Sequence, residues 1–218
     1  ILNFSELMLL CDNLSKNATN RLRHIIDASQ RCTRIVENLL TFATKRKNVR
    51  KGQYVCINDV LKDALELKIN DLRVNNIEVE QFLFQTLPKT MADRVQLMQV
   101  FINLINNAYD AMKTAHGRGV LTIRTHQKGD KIVIEFEDTG PGILEPEKLF
   151  TPFYTTKEVG KGTGLGLAVS YGIIKEHGGM IVGKNCQKGA FFTVTLPINA
   201  LTSKEVKFPV KKDYDLSG

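Results

Sequence analysis

Asn103 and Asn107 stand four residues apart inside an apolar run that includes Met98, Phe101, Ile102, Leu104 and Ile105. On a helix that spacing brings both amides to one face. Amides set into an apolar helix are destabilising unless they find partners. Either they point to solvent, or their oxygens serve a cation already carried by phosphates, as magnesium commonly is. Asp138-Thr139-Gly140-Pro141-Gly142 offers different chemistry. A carboxylate there can accept a hydrogen bond from an exocyclic amine such as adenine's, and the glycines let a ligand come close to the backbone. The same string also suits an ordinary Asp-Gly turn. In residues 149–157, Phe150, Phe153 and Tyr154 sit within a glycine-rich region and precede Lys157. Three aromatics in one loop suggest rings that dock when the loop closes, with Lys157 left to meet phosphate. Last, Gly160, Gly162, Gly164 and Gly166 alternate with Lys161, Thr163 and Leu165 just ahead of a helical pattern. Successive amides can turn toward an anion there, and the helix start adds partial positive charge. The run lacks the Gly-Lys-Ser/Thr ending of a P-loop and the strand-then-helix context of a dinucleotide site.

The elements that must position these groups follow from periodicity. Residues 1–15 are apolar enough to be the end of a helix, and 15–17 suit a turn. From about Leu22 a heptad pattern runs through Ser29, Val36 and Ala43, flanked by Ile25, Cys32 and Leu39, and widened by Ile26, Thr33 and Leu40. Such a broad stripe matches a bundle-core helix. Two helices cannot enclose it, so either a homodimeric four-helix bundle or the same chain's next domain must cover it. A basic run at 45–51 marks a linker. Beyond it the pattern becomes mixed: a short strand at 54–57, a helix capped by Asn58 and reaching about Val74, and a strand at 77–84. A helix at 93–113 and strands at 120–126 and 131–137 follow. Residues 138–166 lack periodicity over a length that suggests a functional loop or lid. A helix over 164–176 and a hairpin of 180–185 with 190–196 close the pattern, and the tail from 199 is polar.

Composition is that of an ordinary globular chain of 218 residues, 43% hydrophobic and 24% charged. No apolar run approaches the ~20 residues that span a bilayer, and no signal peptide opens the chain. The sequence begins inside an amphipathic segment without methionine, as a piece of a longer protein would. Cys11, Cys32, Cys56 and Cys186 form no pair of metal-ligand spacing, which suits reduced thiols and a cytoplasmic setting. Membrane anchoring of a longer parent stays open, but no membrane contact is expected through these residues. The net charge of +7 gathers at 45–51 and at Lys204, Lys207, Lys211 and Lys212. Neither cluster has interleaved aromatics to stack bases, so no nucleic-acid partner is expected.

The four motifs, in this order, resemble the asparagine, first glycine, phenylalanine and second glycine boxes of sensor histidine kinases. These belong to the superfamily shared with gyrase, the 90-kDa heat-shock chaperones and mismatch-repair ATPases. The resemblance covers about residues 54–197 and includes His177-Gly178-Gly179 and Leu196-Pro197. It implies an α+β fold: an N-terminal helical hairpin, half of a dimeric four-helix bundle, followed by a two-layer α/β sandwich with ATP under a lid over 143–164. It implies that Asn107 binds magnesium, Asn103 lies beside the phosphates and Asp138 reads the adenine amine. Gly140 and Gly142 would line that pocket. Phe153, Lys157, Lys161, Thr163 and Leu165 would join the nucleotide site, while Gly162, Gly164 and Gly166 hinge the lid.

Residues 1–48 resemble the dimerisation and phosphotransfer hairpin of nitrogen-sensor-type kinases, with 54–198 as the ATP-binding domain and 199–218 as a tail. The family's His-Glu-x-x-Asn-Pro-Leu string is not in this sequence and would be expected just before Ile1, so nucleotide binding without self-phosphorylation is expected of the chain alone. The implied partners are a second copy through 1–48 and the receiver domain of a response regulator. Hydrolytic members of the superfamily, the strongest rival class, generally carry glutamate where Asn103 stands, and an amide cannot act as a base. One departure concerns charge. Many relatives have lysine three residues after the magnesium-binding asparagine, where this chain has Asp110, so Lys157 or Lys161 is expected to supply the cation.

Overall fold

The computed structural model describes residues 2–9, 14–43, 53–157 and 162–198. Helix α1 (Leu2–Leu9) packs against α2 (Lys16–Ala43). The expected turn at 15–17 is instead the start of α2: the Ser15 hydroxyl accepts the Ala18 N–H at 3.2 Å, a capping bond that begins the helix six residues before Leu22. Leu22 is buried, whereas Phe4, Met8 and Ile25 are exposed. Helix α2 also touches α6 (Gly166–Glu176). The basic runs at 45–51 and 204–212 lie outside the described residues.

The remaining elements are β1 (Gln53–Val55), α3 (Ile57–Glu66), α4 (Ile69–Val74), β2 (Ile77–Leu83), β3 (Thr90–Ala92), α5 (Arg94–His116), β4 (Gly119–Lys128), β5 (Lys131–Asp138), β6 (Met180–Asn185) and β7 (Ala190–Pro197). Five strands form a mixed sheet in the order β2-β4-β5-β7-β6, in which only the β2–β4 pair is parallel. Register aligns buried side chains in rows across it: Ile123 beside Phe136 beside Phe192, then Thr125, Ile134 and Val194. Alternation along each strand turns these rows to one face, where they meet Leu97, Phe101, Leu104 and Ile105 of α5 and Val169, Ile173 and Ile174 of α6. The Phe101 and Phe136 rings lie 6.0 Å apart within this core. The result is a two-layer α/β sandwich.

Three local readings change. The helix expected from Asn58 to Val74 is two helices, because Lys68 N–H closes a tight turn onto Leu65 C=O at 2.9 Å. The redirected chain then buries Leu72. Asn58 is not a cap but a buried joint inside α3: it donates to Phe84 C=O at 2.9 Å and accepts from the Thr125 hydroxyl at 3.0 Å. A small ladder of β1 with β3 was not anticipated. Its β3 strand is tied to the main sheet by the Thr90 hydroxyl, which donates to Pro197 C=O at 2.7 Å.

His177 stands at the end of α6 and bonds in two directions. Its Nδ1 donates to Ile173 C=O at 2.8 Å, and its Nε2 accepts the Asp93 N–H at 3.0 Å. Asp93 in turn caps α5, its carboxylate accepting from Val95 N–H and Gln96 N–H. One imidazole thus joins the end of α6 to the start of α5.

Candidate nucleotide site

Asp138 ends β5 on the inner face of the sheet and is only 3% exposed. Its Oδ1 accepts the N–H of Gly140 at 2.8 Å and of Ala190 at 3.3 Å, which leaves Oδ2 as the acceptor for a ligand. Burial pushes its pKa above the ordinary carboxylate value, and the two N–H bonds only partly oppose this. The chain crowds around it. A Cβ on Gly140 would lie 2.9 Å from Asp138 Oδ1 and 3.1 Å from Ala111 Cβ. One on Gly189 would lie 2.4 Å from the Asp138 carbonyl oxygen and 2.8 Å from Gly140 N. Gly189 was absent from the sequence reading, its only signal being a glycine in the turn before β7.

Gly142 follows with φ at +85°, and Asn185 sits where its Cβ would be. The Asn185 amide accepts from Ile143 N–H at 2.6 Å and donates to Ile143 C=O at 2.9 Å. This two-way bond holds the beginning of the long loop to the end of β6, and nothing in the local sequence announced it.

Across from Asp138 runs α5. At 3.6 residues per turn, Asn103, Asn107 and Asp110 fall within about 60° of one another around the helix. Asn103 donates to Gly166 C=O at 3.2 Å and to the Ser170 hydroxyl at 3.3 Å, and that hydroxyl donates to Gly166 C=O at 2.9 Å. The amide thus anchors the first turn of α6, and the fully buried Ser170 is a partner that sequence reasoning missed. Asn107 is half-buried, and its amide has no partner among the described residues. The start of α6 has no side-chain cap, so its first N–H groups are available to an anion.

The loop between these walls closes on itself. Phe153 takes a positive φ of 68°, and its N–H donates to Gly164 C=O at 2.9 Å. Gly164, at φ +64°, has room for no Cβ, since one would lie 2.3 Å from the Phe153 carbonyl carbon. A Cβ on Gly162 would meet the Thr155 hydroxyl at 2.4 Å. Residues 153–157 and 162–165 therefore run side by side as a stem. Thr163 Oγ1 accepts from Leu165 N–H at 3.3 Å, and Leu165 is buried. Lys157 reaches out of the stem and pairs with Asp110 on α5. Of the three aromatics, Phe150 packs on Tyr171 at 5.3 Å, and Tyr154 bonds Glu145 at 3.2 Å. Phe153, at 66% exposed, points its ring into solvent. Lys161 lies outside the described residues.

The sheet covered on one face by α3, α5 and α6, with its site at the strand ends, defines an ATPase-type α/β sandwich. Residues 92–200 match the family described as histidine kinase-, DNA gyrase B- and HSP90-like ATPase, and the chain belongs to that family. Its catalytic domain is of the sensor histidine kinase type. It is 35% identical over 245 aligned residues to the sensor kinase CckA of Brucella abortus, with all of this chain and 25% of that protein covered. The chain thus spans about a quarter of that relative's length. Among solved structures, the catalytic domain of the histidine kinase ThkA in a nucleotide-free form aligns with a TM-score of 0.61 at 31% identity, covering 67% of this chain and 95% of that one. ThkA in complex with the response regulator TrrA aligns with a TM-score of 0.69 at 26% identity, covering 89% of this chain and 56% of that one. No described helix is long and apolar enough to cross a membrane.

Proposed function

We propose that residues 54–198 bind ATP with magnesium and, within a longer histidine kinase, donate its γ-phosphoryl group to a histidine. The observation that carries this reading is three polar groups left open on neighbouring elements: Asp138 Oδ2 at the end of β5, the Asn107 amide on α5 and the uncapped start of α6. They differ in what they can bind. A buried carboxylate oxygen suits an amine donor, a neutral amide oxygen suits a hard cation, and free helical N–H groups suit an anion. Adenine, magnesium and phosphate joined in one molecule meet all three needs, so the residues present fit the nucleotide. Bound magnesium would neutralise charge on the phosphate oxygens as the phosphoryl group transfers.

Asn103 supports transfer over hydrolysis, because a neutral amide occupied with α6 cannot activate water. The domain's share is then positioning and electrostatics. Residues 1–48 serve as a dimerisation hairpin on this reading. The exposed Phe4, Met8 and Ile25 supply apolar surface for a second copy to cover. The onward acceptor would be an aspartate on a response regulator, a partner class that the ThkA complex supports. Calorimetric titration of the chain with ATP, with and without magnesium, tests the core of this reading. Saturable binding strengthened by magnesium and lost in Asp138→Ala is expected; a folded chain with no affinity for ATP or ADP would overturn it.

A further inference from the structure

The long loop meets α5 at two points on the face that carries Asn107. On the far side Gly166, where the loop ends, accepts the Asn103 amide. On the near side Lys157, in the stem, pairs with Asp110. Seven residues of helix separate these anchors, about 10 Å at 1.5 Å per residue, and Asn107 lies between them. The loop therefore straddles the amide proposed to hold magnesium. Fold stability does not explain the second anchor: both partners are more than a quarter exposed, and such pairs add little to stability. Another cation that feels Asp110, Lys113, donates to the Tyr109 hydroxyl at 2.8 Å.

We propose that Asp110 is a positioning residue for Lys157, holding the loop's ammonium against α5 so that it meets the phosphate tail beside Asn107. An ammonium has three protons, so Lys157 can keep one on Asp110 and direct another to a phosphate oxygen. In this arrangement the positive charge at the phosphates comes from the loop, with α5 supplying the carboxylate that aims it. Phosphate binding and docking of the stem then become one event. The proposal rests on the nucleotide reading above.

The test uses the full chain as Asp110→Asn, Asp110→Glu, Lys157→Ala and the Asp110→Asn/Lys157→Ala double variant. Without nucleotide, amide hydrogen exchange across 153–157 and 162–165 should rise severalfold in Asp110→Asn, with the melting temperature unmoved. ATP affinity should fall three- to tenfold in Asp110→Asn, recover in Asp110→Glu, and show no further loss when Asp110→Asn is added to Lys157→Ala. AMP affinity should stay the same throughout, since AMP lacks the tail. Simple repulsion predicts the opposite sign, so tighter ATP binding by Asp110→Asn would overturn the proposal. An equal effect in the Lys157→Ala background would do the same. A wild-type chain that binds no ATP would remove the nucleotide reading, while the exchange measurement still decides whether Asp110 docks the stem.

Discussion

The two ends of the proposed nucleotide site are held in different ways. Around Asp138 the contacts are almost all backbone: amides of Gly140 and Ala190 on the carboxylate, and glycines at 140 and 189 where a Cβ would collide. Around the loop stem, side chains make the contact with α5: Asn103 to Gly166 and Ser170, and Lys157 to Asp110. Backbone in a close-packed core has one arrangement. A lysine on a flexible stem can exchange one partner for another. On the proposed reading, the base end would recognise and the phosphate end would adapt to a group that changes during the reaction.

The sharpest way to break this contrast is at Asp138. Asp138→Asn should lower ATP affinity by about 1.5–3 kcal/mol, the range for a hydrogen bond to a charged group, or roughly 10- to 150-fold by calorimetry. If affinity is unchanged, the base does not sit there. Gly189→Ala tests the rigidity of the same end. With backbone on both sides of the added methyl, overpacking should lower unfolding free energy by about 1–3 kcal/mol in urea. Phe153→Ala, at the other end, should move it by less than about 0.5 kcal/mol, because the ring is already in solvent.

Acidification should separate the ends as well. Because burial raises the folded-state pKa of Asp138 above its unfolded value, the ionised carboxylate is unfavourable in the empty protein. Its contribution to stability is therefore fully present below the unfolded pKa and fades as pH rises through the folded one. Binding runs the other way, since a protonated Oδ2 cannot accept from the base. As pH falls, ATP affinity should begin to drop at a pH above the ordinary aspartate value, and this drop should be missing in Asp138→Asn. At the joint between helices, His177→Ala should cost about 1 kcal/mol for its lost hydrogen bonds, read as a lower melting temperature.

What the sequence revealed and what it hid divide along the same line. The Asn103/Asn107 face, the Asp138 strand end and the glycines at 162–166 were legible because each is a local pattern with a local cause. α5 ran from Arg94 to His116 much as its periodicity required. Gly189, Asn185 and Ser170 were not legible, because each works through a contact made between distant parts of the chain. Asn58 misled for a related reason. Asparagine favours helix caps, but here tertiary hydrogen bonds to Phe84 and Thr125 outweighed that preference. The cation missing at Asp110 was sought in Lys157 or Lys161 from sequence, but that Asp110 itself holds Lys157 required the fold.

His177 and Asn103 fasten α6 to α5 at two places, one near each end of the shorter helix. Two bolts on a pair of beams fix both their spacing and their crossing. On the proposed reading, a phosphate drawing on the first turn of α6 would pull on a helix fixed at both ends to α5, with α2 in contact beside it.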